Sequence, residues 1–177
     1  MVKAVFAEYG FPFDENDYDA DLLHPDEHYE GQSGWFAVAQ DAAGEVIGCV
    51  GLTDEGGGLF ELHRLYVLAE TRRTGAGSNL IRWALDAATI HGCERMVLFS
   101  DIAFEDAHRL YLRFGFRNHR FRYAPDPWQS REWGFELELS PAGPHPPDRS
   151  PDSYLVYNPA GEGGSQRSSC VALGRAT

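Results

Sequence analysis

Arg72-Arg73-Thr74-Gly75-Ala76-Gly77-Ser78 separates two segments of opposite periodicity, and the junction decides the fold. Upstream, Leu59 to Leu68 alternates as a strand does, which predicts Glu61, His63, Leu65 and Val67 on one face. Downstream, Leu80, Ile81, Ala84, Leu85 and Ala88 recur at helical spacing within 75–91, and Gly92 is placed to end that helix. A strand, a glycine-bearing loop and a helix N-terminus together make an anion site, because unpaired backbone N–H groups and the positive end of the helix dipole face the same point. Gly75 and Gly77 would let the main chain approach a pyrophosphate closely. The loop lacks the lysine of a P-loop, and Leu80 stands where a dinucleotide fold needs its third glycine, so both nucleotide readings fail.

Working outward, Val2, Val5, Phe6 and Tyr9 predict a first amphipathic helix stopped by Gly10 and Pro12. A short helix is expected around Tyr18 to Leu23, limited by Pro25. Trp35 to Gln40 and Glu45 to Leu52 read as a hairpin across Asp41-Ala42-Ala43-Gly44, and Gly56-Gly57-Gly58 opens the next turn. Beyond the central helix come a strand at Met96 to Phe99, a helix at Glu105 to Phe114 stopped by Gly115, and strands at Phe116 to Tyr123 and Trp133 to Leu139. After Ser140 the composition turns to Pro, Gly, Ser and Asp, with too little apolar bulk to offset the entropy of ordering. The expected organisation is one domain over 1–140 and a disordered tail over 141–177, in which Tyr154 to Tyr157 is the one brief strand-like run.

The net charge of −12 argues against nucleic acid as a partner, since phosphate contacts need clustered Lys and Arg. Residues 1–61 hold one Lys or Arg against fourteen Asp and Glu, so the acidity lies in the first third. No apolar run approaches the roughly 20 residues of a membrane span, and no signal peptide is apparent at the N-terminus, so a cytoplasmic protein without a membrane partner is expected. Cys49, Cys93 and Cys170 form no CxxC pair and read as reduced thiols, Cys49 as a small buried hydrophobe. His24 and His28 have i,i+4 spacing, but Pro25 and the lack of further ligands argue against a metal, and none is expected.

Arg-x-x-Gly-x-Gly after the strand Glu61-Leu62-His63-Arg64-Leu65-Tyr66-Val67 resembles the acetyl-CoA signature of the GNAT acetyltransferases. Ala107-His108-Arg109-Leu110-Tyr111-Leu112-Arg113-Phe114-Gly115-Phe116 resembles that family's A-x-x-L-Y-x-x-x-G-F segment, and the likeness runs from about Val2 to Leu139. It implies an α+β GNAT acyl-CoA N-acyltransferase fold, with a mixed, mostly antiparallel sheet flanked by helices. The chain starts inside the first helix, so the family's first edge strand is expected to be missing and the sheet edge open. Phe104 stands where the family often has Asn.

The resemblance further implies that Arg72, Arg73, Thr74, Gly75, Ala76, Gly77 and Ser78 wrap the pyrophosphate of the cosubstrate acetyl-CoA, and that Leu65, Tyr66 and Val67 hold its pantetheine arm. Tyr111 matches the usual general acid, and a backbone N–H near Val67 would hold the oxyanion. Glu61, on the strand bordering the acceptor, is the best candidate base, with His63 and His108 as weaker alternatives. Phe11 to Asp21 and Tyr123 to Arg131 would line the acceptor groove. Asp14, Glu15, Asp17, Asp19 and Trp128 there point to a cationic or aromatic amine, of a small molecule in preference to the alternative, a protein. The expected activity is direct acetyl transfer to an amine in a ternary complex. The rival readings are a silent CoA-binding or regulatory module and an assembly subunit, and the chain could form a homodimer.

Overall fold

The computed structural model describes residues 1–30, 33–139, 154–157 and 171–173. Its helices are α1 (Val2–Tyr9), α2 (Pro25–Glu30), α3 (Ala76–Ile90) and α4 (Glu105–Arg113). Its strands are β1 (Gly34–Gln40), β2 (Val46–Gly56), β3 (Leu59–Val67), β4 (Arg95–Asp101), β5 (Arg117–Tyr123), β6 (Arg131–Glu138), β7 (Tyr154–Tyr157) and β8 (Val171–Leu173). They form one sheet in the order β5-β6-β4-β3-β2-β1-β7-β8, antiparallel except for the β3–β4 pair. The α+β architecture with a mixed, mostly antiparallel sheet is therefore present. The parallel pair follows from chain geometry, because α3 carries the chain back along the sheet between β3 and β4.

Local chemistry sets the boundaries. Gly10 at φ 71° ends α1 and bonds back to Ala7 and Phe6. In the β1–β2 turn the Asp41 carboxylate accepts the N–H groups of Ala43 at 2.8 Å and Glu45 at 3.0 Å, an Asx-type brace. Pro25, expected to limit a helix, instead begins α2. Its missing N–H costs nothing at the first helical position. The short helix expected just before it is a 3₁₀ turn at Ala20–Leu22.

The principal core lies under α3. Leu80, Ile81, Ala84, Leu85 and Ala88 pack on Val50 and Leu52 of β2, Phe60 and Leu62 of β3, and Met96 and Leu98 of β4. Each large side chain buried there contributes about 1.5–3 kcal/mol. On the other face α1 and α2 cover a smaller cluster of Tyr29, Phe36 and Cys49. A Cβ at Gly51 would collide with the Tyr29 ring, so the glycine seats α2 against the sheet.

One expectation is corrected. Glu61 and His63 do not share a face with Leu65 and Val67. Arg64 takes a left-handed conformation, φ 53°, and is an extra residue in β3: Gly51 pairs with His63 but Cys49 pairs with Tyr66. The bulge inverts the alternation. Glu61, His63 and Tyr66 face away from α3, while Phe60, Leu62, Leu65 and Val67 pack into its core.

The segment read as a disordered tail holds two short strands among the described residues. Strand β7 pairs with β1 from Phe36↔Tyr157 to Ala39↔Tyr154, on the edge expected to be open, and β8 pairs with β7. The rest of 141–177, with Cys170, lies outside the described residues. Among the described residues no helix is long and apolar enough to cross a membrane.

Candidate active site

The β3–β4 ladder ends early. Pairing runs from Leu59↔Arg95 to Leu62↔Leu98, yet β3 continues to Val67 and β4 to Asp101. Beyond Leu62 the strands diverge where Arg64 bulges β3, and among the described residues the main chain of Leu65–Val67 has no strand partner on the β4 side. Two cavities meet at this splay and share Leu65, Tyr66 and Phe104 in their walls.

The first, about 890 Å³, is a groove between the N-terminus of α3 and α4. Leu65, Tyr66, Val67, Arg72, Arg73, Gly75, Gly77 and Ser78 line it, with Arg109 and Arg113 opposite. Thr74 and Ala76 are not in its wall, although Ala76 opens the helix. Gly75, at φ 102°, is the N-cap of α3, and among the described residues no side chain caps that terminus. The first intrahelical bond there is from Asn79 N–H to the Gly75 carbonyl, so the N–H groups of Ala76, Gly77 and Ser78 are left for an anion. Gly77 lies close under α4: a Cβ there would lie 3.1 Å from Leu110 Cδ2, so that side chain would have to shift slightly. Arg72 is tied to Glu8 by two bonds of 2.5 and 2.7 Å and to the Val67 carbonyl at 3.3 Å, which braces the loop. These groups fit a pyrophosphate-bearing ligand.

The second cavity, about 710 Å³, is walled by aromatic rings, among them Phe6, Phe11, Tyr18, Phe99, Phe104 and Trp128. Both predicted acceptor loops reach it, one through Phe11, Pro12, Tyr18 and Asp19, the other through Asp126 to Arg131. Tyr111 opens into it from α4 although it is only 3% exposed. Burial pushes its phenol well above the ordinary tyrosine value, opposed by a hydrogen bond with Ser100. Ser100 in turn lies 3.2 Å from His108 Nε2. Phe104, replacing the family's common Asn, stacks edge-on with Tyr9, Phe11 and Tyr66 where the two cavities meet.

The acidic residues read as acceptor-binding divide. Asp19 lines the cavity but is fully buried in an ion pair, its Oδ1 2.8 Å from Arg64 Nη1. The same guanidinium donates to both Asp21 oxygens at 2.9 and 2.7 Å and to the Tyr18 carbonyl at 2.6 Å. Glu15 is paired with Lys3 at 2.6 Å, and Asp14, Glu15 and Asp17 are absent from this cavity's wall. Trp128 lines the cavity, 47% exposed. The carboxylates actually in the wall are Asp101, Asp126 and Glu132 besides Asp19. Asp126 accepts from the N–H groups of Trp128 and Ser130, and Glu132 is held by Arg122 at 2.7 Å.

On the floor, His63 lines the aromatic cavity and Glu61 does not; its Oε1 lies 3.7 Å from His63 Nδ1. Burial raises the Glu61 carboxyl, with Arg122 opposing. Burial, then the charges of Arg64, Arg122 and His28, lowers His63 to about 4. His63 Nε2 is 2.8 Å from the Thr53 hydroxyl, which donates to Glu55 Oε1 at 2.7 Å. Donor atoms of Glu55, Glu61 and His63 fall within 4.8 Å of one another, and of these Glu55 and His63 are joined through Thr53. Cys49 and Cys93 are buried thiols pushed up to about 12 and 11, chiefly by burial, and so carry little thiolate near neutrality.

Sequence reasoning missed Ser100, the Arg64 clamp and the junction role of Phe104. The clamp had a signal: polar residues at 61 and 63 give way to apolar ones at 65 and 67, a phase slip centred on Arg64.

The acetyltransferase (GNAT) family model matches residues 2–116. An uncharacterised N-acetyltransferase of Schizosaccharomyces pombe is 32% identical over 118 residues, 66% of this chain and 72% of the relative. The aminoalkylphosphonate N-acetyltransferase of Salmonella typhimurium is 33% identical over 111 residues, 60% of this chain and 67% of that one. A GNAT-family acetyltransferase structure from Staphylococcus aureus Mu50 superposes with TM-score 0.65 at 19% identity, covering 77% of this chain and 88% of that one, a likeness of fold.

Proposed function

Because the chain belongs to the acetyltransferase (GNAT) family, we propose that it transfers an acetyl group from acetyl-CoA directly to the amine of a small molecule. The observation that carries this reading is the uncapped N-terminus of α3 opening a groove that runs, through the β3–β4 splay, into the cavity holding Tyr111 and His63. The pyrophosphate of acetyl-CoA takes the N–H groups of the Gly75–Ser78 segment, and its pantetheine arm follows the main chain of Leu65–Val67 past Phe104. Thr74 and Ala76 shape that loop.

The acceptor nitrogen attacks the thioester carbonyl, the C–N bond forms and the C–S bond breaks. Tyr111 protonates the departing thiolate, and its raised pKa keeps the acid form available. The amine gives up its proton to the basic pair formed by Glu61 and His63. A backbone N–H near Val67 steadies the oxyanion, a contribution of about 3–4 kcal/mol for such donors.

The acceptor is an amine carrying an aromatic or apolar body, and Trp128 is its principal contact. Of the four acidic residues considered for that role, Asp14, Glu15 and Asp17 are outside the wall and Asp19 is engaged by Arg64. A phosphonate such as the Salmonella relative's name implies has less support here. The lining cations are Arg64, already clamped, and Arg131. Release of CoA thiol should be followed with arylalkylamines, polyamines and aminoalkylphosphonates in parallel. We expect kcat/KM for arylalkylamines to exceed the others by roughly ten-fold or more, the value of one well-filled apolar contact. Preference for the phosphonates would overturn the acceptor class, and no thiol release with any amine would overturn the activity.

A further inference from the structure

Three polar side chains behind the aromatic cavity are linked in a fixed order, Glu55, Thr53, His63, and the linkage determines where the imidazole proton resides. Glu55 is exposed on β2, and an ionised carboxylate can only accept. The 2.7 Å contact from Thr53 Oγ1 to Glu55 Oε1 therefore uses the only proton of the threonine hydroxyl. Thr53 has none left for His63 Nε2, 2.8 Å away, so that contact requires the imidazole to donate. A neutral imidazole that donates from Nε2 has its lone pair on Nδ1.

From this network we infer that Glu55 and Thr53 are positioning residues, which hold His63 as the Nε2–H tautomer and leave Nδ1 as the proton acceptor beside Glu61 at the acceptor cavity. The inference rests on the acetyltransferase reading only for its catalytic consequence. Nδ1 takes a proton from the acceptor amine as the C–N bond forms, and the resulting imidazolium is still hydrogen-bonded through Nε2–H to Thr53. Its charge is met by Glu61, 3.7 Å from Nδ1. The other groups facing it are Arg64 of β3, Arg122 of β5 and His28 of α2, all of which disfavour the cation. A half-buried neutral imidazole agrees with its lowered pKa of about 4, and the free base is the form present at neutral pH. The arrangement follows the logic of a hydrolase triad, in which a third group fixes the tautomer of the base.

The test is the ¹⁵N resonances of the His63 ring in imidazole-labelled protein, identified by comparison with His63→Gln, alongside steady-state kinetics. The wild type should show a protonated Nε2 and a bare Nδ1 at neutral pH. Glu55→Ala frees the threonine proton to turn towards Nε2, and Thr53→Val removes the acceptor for Nε2–H. Both should shift the tautomer towards Nδ1–H and lower kcat by roughly ten-fold or more, with the acceptor KM changed less than about two-fold. Thr53→Ser keeps the hydroxyl and should restore both readouts, which a packing defect would not allow. A wild-type ring protonated on Nδ1 would overturn the inference, as would variants whose tautomer and turnover match the wild type. The resonances need no turnover, so failure on every amine would count against the acetyltransferase reading and not against the hydrogen-bond chain.

Discussion

Tyr111 combines deep burial with an opening onto the acceptor cavity, and its role turns on one proton. A phenol raised above its ordinary value of 10.0 stays protonated further into the alkaline range. If it is the general acid, the wild-type kcat should show no descending limb attributable to it below about pH 10. Tyr111→Phe keeps the ring packing with Phe116 and Phe135 and removes only the hydroxyl. Turnover should fall by about a hundred-fold, within the usual range for a lost acid, while affinity for acetyl-CoA measured by isothermal titration stays within a few-fold. An unchanged kcat would reduce Tyr111 to a packing residue and leave the thiolate to be protonated by water. The tyrosine was legible because it falls inside a long motif. Its partner Ser100 was not, because one serine in an apolar strand has no periodic signature.

At the scale of elements, what could be read from sequence depended on how long each pattern ran. Helix α3 offers five core positions in register with 3.6-residue periodicity, so it was found to within a residue or so at each end. Strand β3 was found as a strand, but its faces were assigned wrongly past His63, because simple alternation cannot register the residue inserted at Arg64. The loop between them is where geometry and composition agree most closely. Gly75 at φ 102° stands in a conformation that costs an L-residue roughly 1–2 kcal/mol. Gly75→Ala should therefore lower stability by about that much in urea titration. It should also weaken acetyl-CoA binding more than ten-fold, because the strain is relieved by moving the N–H groups that face the groove. Gly44→Ala makes the control. Its φ of 85° lies in the exposed β1–β2 turn, so it should show a similar loss of stability with binding unchanged. Equal effects of both variants on binding would mean that the loop contributes only through global stability.

The molecule as a whole divides its charge much as it divides its two cavities. Residues 1–61 carry all the excess acid, and they supply part of the aromatic cavity's wall. The anion groove draws Arg72, Arg73, Arg109 and Arg113 from the remaining sequence, whose charge sums to near zero. This asymmetry was visible in composition; that Asp19 would spend its charge on Arg64 was not, because a clamp between residues 45 positions apart needs the fold to bring them together. With Asp19 paired to Arg64, a pull of the acidic third on a cationic acceptor would have to act mainly from a distance. A long-range field of this kind is screened as the Debye length falls from about 10 Å at 0.1 M salt to about 3 Å at 1 M. Steering by the field should therefore appear in the encounter and not in the chemistry. An aromatic diamine should lose several-fold in kcat/KM between those salt concentrations, a monoamine built on the same ring should lose less, and kcat should hold for both. Equal salt dependence for the two amines would restrict the acidic third to keeping the protein in solution, and acceptor selection would then belong to the aromatic wall alone.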